Sequence, residues 1–320
     1  MRKIIPYLIP ALVLTGILFL LYQFPDQIED FRIMVFDNYQ RIRPRIYKDT
    51  PVRIIDIDDK SLERFGQWPW PRTVLAKLVT RLSKAGAQTI AFDVVFAEPD
   101  RTSPKNVIRS WPDVPALQAV RSQIDVMPDH DLLFAEAADK ARVVFAFGLI
   151  AAPDRNIPAV KYGGFLEHGA PGDRTIDYIG PAYKGAVTNI PSLEKAARGL
   201  GGFNISSDEK GMIRRAPALF RLRDTIYPSL SLEAMRVFQE VNVFKVSLAG
   251  TETNASFGEK TGIVSVKTGF LDIPTDKRGR IWLYDTGHRP ERFIPAWKVF
   301  SDDFDAASID GKLLFVGTSA

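Results

Sequence analysis

Two short runs of β-branched and aromatic residues, Val52–Ile57 and Thr89–Phe96, stand on either side of one amphipathic segment, and this spacing restricts the fold more than any other feature. The first run, Val-Arg-Ile-Ile-Asp-Ile, is apolar on both faces, which predicts a strand covered on both sides of a largely parallel sheet. Pro71 suits the first position of a helix, where its missing N–H costs nothing. Leu75, Leu78, Val79 and Leu82 then fall at i, i+3, i+4 and i+7, and Gly86 supplies a left-handed C-terminal residue. Strand, helix and strand at this spacing predict a right-handed βαβ unit, with later strands added beside it. The expected fold class is α/β (α+β): a mixed, mainly parallel central sheet flanked by helices and preceded by one N-terminal transmembrane helix.

Ile4 to Phe24 carries no charged residue, and a helix of that length spans roughly 30 Å, about a bilayer core. Gln23-Phe24-Pro25-Asp26 offers no small-residue cleavage site, so 4–24 reads as an uncleaved signal anchor. Arg2 and Lys3 precede it and Asp26, Glu29 and Asp30 follow. That charge order leaves residues 1–3 in the cytoplasm and sends the remainder outside. Ile28, Phe31, Val35, Tyr39 and Ile42 repeat at helical spacing, predicting an amphipathic juxtamembrane helix within 25–45 that stops before Pro44. Such a helix packs on the domain that follows or pairs with a second copy to carry motion; the two readings are compatible.

From 46 to 320 the chain reads as one further domain. A proline-rich excursion runs to about Pro128, with one short helix near Leu117–Val120. Asp129 or Asp131 caps a helix through Asp139. Arg142–Ile150 reads as a third core strand, and Ala151–Lys184 as loop or insertion. The cluster Gly199-Leu200-Gly201-Gly202 follows a short helix and leads into a strand, the wrong order for a dinucleotide cradle, so it reads as a helix C-cap. Asp208-Glu209-Lys210-Gly211 has turn chemistry. Tyr227-Pro228-Ser229 opens a helix to about Gln239. Strands are expected at Val243–Leu248, Ile263–Lys267 and Arg280–Tyr284, a short helix at Ile294–Phe300, and a buried strand in the final block.

With 42 basic and 38 acidic residues, a net charge of +4 and no Lys/Arg-rich run, the chain has no nucleic-acid footprint. It has no cysteine, which excludes disulfides, thiolate metal sites and cysteine nucleophiles.

Three ordered blocks, Ile55-Asp56-Ile57-Asp58-Asp59-Lys60-Ser61-Leu62, Gly66-Gln67-Trp68-Pro69-Trp70-Pro71-Arg72 and Ala91-Phe92-Asp93-Val94-Val95-Phe96, together resemble the CHASE2 domain. Phe203-Asn204-Ile205 through Pro217, and Gly311 to Ala320, extend the resemblance to roughly residues 28 to 320. It implies an extracytoplasmic sensory domain of a bacterial inner-membrane receptor, anchored in the lipid bilayer through 4–24, homodimeric and addressed by an unidentified small-molecule or envelope stimulus. It also implies a cytoplasmic output enzyme beyond Ala320, a cyclase first and a histidine kinase second, so the chain is expected to be a truncated receptor and not itself an enzyme. No cofactor is expected.

Candidate chemistry gathers in two places. Asp56 and Asp58 share a face if the strand persists, and Asp93 lies late in the neighbouring strand. All three fall towards the C-terminal edge of a parallel sheet, where α/β folds bind ligands. Three carboxylates there suit Mg²⁺ or Ca²⁺, or a free-standing periplasmic enzyme. The alternative is structural: Asp58 or Asp59 caps the helix at Ser61–Phe65, and Asp93 accepts a backbone or indole N–H. Trp68, Trp70, Arg72, Arg214 and Arg215 either line a pocket for an anionic or sugar-like ligand or form a packed corner with paired arginines. Glu98 and Asp100 read as solvated, and His130, His168 and His288 as separate loop residues without metal-ligand spacing. Ser61 and Ser319 have no catalytic partner in view, and a partner in envelope structure is the third functional class.

Overall fold

A computed structural model describes residues 10, 12–16, 19, 25–109, 111–112, 114, 118–124, 126–154, 156–205, 211–250 and 262–319. Most of the apolar stretch 4–24 and the turn at 208–210 therefore lie outside the described residues. Among the described residues no helix is long and apolar enough to cross a membrane. The chain divides into two compact units, Met1–Asp49 with Tyr284–His288, and Thr50–Leu283 with Arg289–Ala320.

In the smaller unit, helix α1 (Pro25–Ile42) ends just before Arg43-Pro44, at the breaker the sequence supplies. Phe36 meets the edge of Tyr284 with ring centroids 5.5 Å apart, and Gln40 Oε1 accepts the backbone N–H of Asp285 at 3.1 Å. Phe31, Val35, Tyr39 and Ile42 remain exposed along the helix.

The larger unit opens with β1 (Val52–Ile57), α2 (Asp59–Phe65), α3 (Arg72–Lys84) and β2 (Thr89–Phe92). The excursion holds α4 (Pro104–Arg109) and α5 (Gln118–Ile124), followed by α6 (His130–Asp139) and β3 (Val143–Ile150). Then come β4 (Gly164–His168), β5 (Ala182–Tyr183), β6 (Gly185–Val187), α7 (Pro191–Ala196) and β7 (Gly199–Gly202). β8 (Arg215–Pro217), β9 (Leu219–Leu222) and β10 (Thr225–Pro228) lead into α8 (Leu230–Phe238), β11 (Val243–Leu248) and β12 (Ile263–Thr268). The unit closes with β13 (Leu271–Pro274), β14 (Arg280–Trp282), β15 (Phe293–Pro295), α9 (Ala296–Val299) and β16 (Leu313–Thr318).

The main sheet runs β15-β1-β16-β2-β3-β6, with β7 also on β3, and every pair is parallel except β3 with β6. It is thus mixed and mainly parallel, as expected, but later strands do not simply add beside the βαβ unit. β16 inserts between β1 and β2, pairing with each in parallel.

The two faces of this sheet carry side chains of different size. One face presents Ile55, Ile57, Phe92, Phe145, Phe147, Leu314 and Val316 to Leu75, Leu78, Val79 and Leu82 of α3 and to Phe134 of α6, all fully buried. The other presents Ala91, Val144 and Ala146, and α8 lies on it through Leu230, Ala234 and Val237. Gly199 and Gly201 continue this small-residue face, paired with Val144 and Ala146. A Cβ on Gly201 would stand 2.4 Å from the Cα of Leu230, and one on Gly199 would stand 2.6 Å from Glu233 Oε1. The glycine cluster is therefore a core strand stripped of side chains so that a helix can approach, not the C-cap its position suggests; Ala197 ends α7.

α8 turns its other side, through Leu232, to a second sheet of β13-β12-β11-β4, where Phe244, Val246, Leu248 and Val266 are buried. Most of α8 is enclosed between the two sheets, and the two charged residues it buries pair with each other. Glu233 is fully buried and Arg236 nearly so, and the guanidinium grips the carboxylate in a fork, Nη2 to Oε1 at 2.7 Å and Nε to Oε2 at 2.8 Å.

Four expectations are corrected at the level of elements. β2 ends at Phe92 rather than Phe96, and the stretch read as a helix at Ile294–Phe300 begins as edge strand β15. Ala151–Lys184, read as loop, contributes β4 to the second sheet, and β13 was not anticipated. β1 is not covered on both faces: Ile55 and Ile57 are buried, whereas Val52 and Ile54 on the opposite face are only half-buried. α8 reaches across β2, β3 and β7 and touches β16, so that Val52 and Phe315 pack beside it only partly buried.

Candidate functional site

The incompletely covered face of β1 and β16 borders a cavity of about 540 Å³ that runs along these strands from Thr50, with Asp56, Asp93 and Ser319 at its C-terminal end. Val52, Ile54, Phe293, Phe315 and Val316 form its apolar wall. Asp56, Asp93, Ser231, Arg292, Thr318 and Ser319 supply its polar groups. That end is where α/β sheets bind ligands, and the size is in the usual range for a small molecule, about 300–1,000 Å³.

Strand register sets the acidic pair. Asp56 lies opposite Gly317, and Val316 lies opposite Phe92, so Asp93 follows directly on the other side of Gly317. The Asp93 N–H closes this corner by donating to Val316 O at 2.9 Å. Neighbouring strands are about 4.8 Å apart, which places the two aspartates roughly 10 Å apart in backbone, with a residue lacking a side chain between them. A Cβ built on Gly317 would lie 3.9 Å from Asp93 Cβ, in ordinary contact, so the glycine opens a notch without being forced by crowding.

The two carboxylates differ in environment. Asp56 accepts from Ser319, Oδ2 from the hydroxyl at 2.8 Å and Oδ1 from the backbone N–H at 3.2 Å. The Asp93 carboxylate has no hydrogen-bond or ion-pair partner among the described residues, and desolvation by the surrounding protein raises its pKa. Asp58 does not join them, because the strand stops at Ile57. Its carboxylate caps α2, accepting from Ser61 N–H at 2.9 Å and Ser61 Oγ at 2.6 Å. Ser61 is fully buried and in turn accepts the N–H of Trp297 at 3.1 Å. Among the described residues no group of three or more His, Cys, Asp or Glu is placed to hold a metal ion.

None of the five remaining candidates borders this cavity. Trp70 is buried, its Nε1 donating to Gly66 O at 2.8 Å, with Phe65 and the half-buried Trp68 edge-on to it. Arg72, also buried, lies over the Phe96 ring, its Nε 3.3 Å from Asp131 Oδ1, and its backbone N–H donates to Asp100 Oδ2 at 2.8 Å. Arg214 is nearly buried beside Met212, and Arg215 lies over Trp282 at 3.8 Å with Asp276 at 3.9 Å.

The sequence reading missed the polar network behind Arg72. Asp100 is buried rather than solvated, and it accepts from Thr102 N–H and Oγ1, both at 2.8 Å, as well as from Arg72. His130, expected in a loop, opens α6 with Nδ1 3.2 Å from Asp100 Oδ2. Burial works to raise the Asp100 pKa, but the hydrogen bonds from Arg72, Thr102 and His130 outweigh it and hold the carboxyl below its ordinary value. The signal available was the spacing Asp100-x-Thr102, an Asx-type turn in which the side chain bonds two residues on.

The comparison that bears on identity is a family model for the CHASE2 domain, which matches residues 11–320. The chain belongs to the CHASE2 family. CHASE2 domains are extracytoplasmic sensory domains, sensory rather than catalytic, and this supports a sensory role here. No curated protein and no solved structure matches the chain.

Proposed function

We propose that the chain is the extracytoplasmic sensor of a bacterial inner-membrane receptor and that the cavity between Asp56 and Asp93 is its input site. The reading rests on the CHASE2 match across residues 11–320. Residues 4–24 anchor the protein, 1–3 stay in the cytoplasm, and α1 pairs with α1 of a second copy along Phe31, Val35, Tyr39 and Ile42. Their exposure on one helix supports such a pairing. Binding at the cavity biases that pairing and so an output enzyme, a cyclase in preference to a histidine kinase.

The absence of cysteine makes a clean test possible. Lys140 is exposed, with 72 % of its side chain accessible, so K140C gives one reactive thiol. A membrane-impermeant maleimide is expected to label it in intact spheroplasts; labelling only after lysis would overturn the placement. The intact mass of the native product in source membranes, well above 35.8 kDa, is expected for a receptor with an output domain.

A further inference from the structure

We infer that the ligand of this cavity is an organic ammonium compound with an apolar body, its cationic head held at the notch between Asp56 and Asp93. This deepens the proposed sensory reading and rests on it.

The lining carries an unbalanced charge. Two carboxylates and one guanidinium, Arg292, border the cavity, which leaves it net negative when both aspartates are ionised. The Asp93 carboxylate has no partner among the described residues, and Asp56 uses two acceptor positions on Ser319 while a carboxylate has about four. An ammonium group supplies donors that match both.

The walls are apolar. A bare divalent ion gains nothing from Val52, Ile54, Phe293 and Phe315 and would need more oxygen ligands than the two carboxylates provide. An alkyl- or aryl-ammonium uses both parts of the site: desolvation of its body against the apolar wall, and ion pairing of its head at the rim. Gly317 leaves room for the head, since no side chain occupies the row between the two aspartates.

The charged groups that border the cavity are Asp56 and Asp93 at the notch and Arg292 further along β1, and burial raises the pKa of Asp93. Binding therefore weakens as the pH falls through the Asp93 value, while the ammonium itself stays charged.

The test is calorimetric titration of the purified chain with 2-phenylethylammonium, set against 2-phenylethanol, 3-phenylpropionate and magnesium chloride. Saturable binding of the ammonium compound alone is expected at millimolar concentration. D93N should weaken it roughly ten- to hundredfold, the loss of one charge-assisted contact. I54N, which leaves both acids in place, should weaken it through the wall. Preferential binding of the propionate, binding of magnesium with no binding of the amine, or an unchanged affinity in D93N would each overturn the assignment. The maleimide experiment does not depend on any ligand, so failure here leaves the membrane placement standing and failure there is recognisable by itself.

Discussion

Ser319 donates two hydrogen bonds to the Asp56 carboxylate, from Oγ at 2.8 Å and from N–H at 3.2 Å, joining positions 263 residues apart. The pair lies at the exposed rim, where such bonds contribute about 0.5–1.5 kcal/mol. A double-mutant cycle of D56A and S319A in urea is expected to give a coupling energy of about 1 kcal/mol. A coupling near zero would show that the rim does not hold the end of β16.

Glu233 and Arg236 should be far less tolerant. Removing one member of a buried pair leaves an uncompensated charge and costs about 3–5 kcal/mol. Arg236 also donates to the carbonyls of Val241, Lys161 and Arg198. R236A is therefore expected to destabilise more than E233A in denaturant melts, because it strands three acceptors as well as a carboxylate.

Gly201 gives a prediction of a different kind, since its backbone is ordinary strand and only space is at issue. G201A places a methyl group 2.4 Å from Leu230 Cα and forces α8 away from β7. Overpacking of this sort costs about 1–3 kcal/mol. G211A, where a Cβ meets nothing within 4 Å, is the control for crowding, although its φ of +74° adds strain of another origin.

Asp93 should cost the fold stability at neutral pH. Its pKa is raised in the folded state, so the folded protein holds the proton more firmly than the unfolded chain. That contribution is fully present below the unfolded value of about 3.9 and is lost as pH rises through the folded pKa. Without ligand, D93N is expected to melt at the same temperature as the parent or higher at pH 7, with the advantage gone in acid. A D93N variant that melts lower at pH 7 would contradict this.

How much of this was legible depends on the kind of information each residue carries. Leu75, Leu78, Val79 and Leu82 announced α3 because one helix face meets one sheet, and all four are fully buried. Ser229 announced α8 by capping it, its Oγ accepting the N–H of Leu232 at 3.3 Å. Gly199 to Gly202 misled because strand propensity says nothing about a helix arriving 30 residues later in the chain, and the glycines answer to that helix. Asp100 misled because its partners come from Arg72 and His130, which only the tertiary fold brings together. Of the cavity's lining, Asp56 and Asp93 could be placed together from their positions at strand ends. Their common neighbour Gly317 could not, since nothing local says that the last strand enters between the first two.

That insertion sets a timetable for the protein. β1 and β2 are made early, but each has its partner edge unpaired until Leu313–Thr318 has left the ribosome. Two apolar parallel edges thus wait through the synthesis of more than 200 intervening residues, a condition that invites pairing with other chains. The β1-β16-β2 core of the sheet can therefore close only once Thr318 has been made.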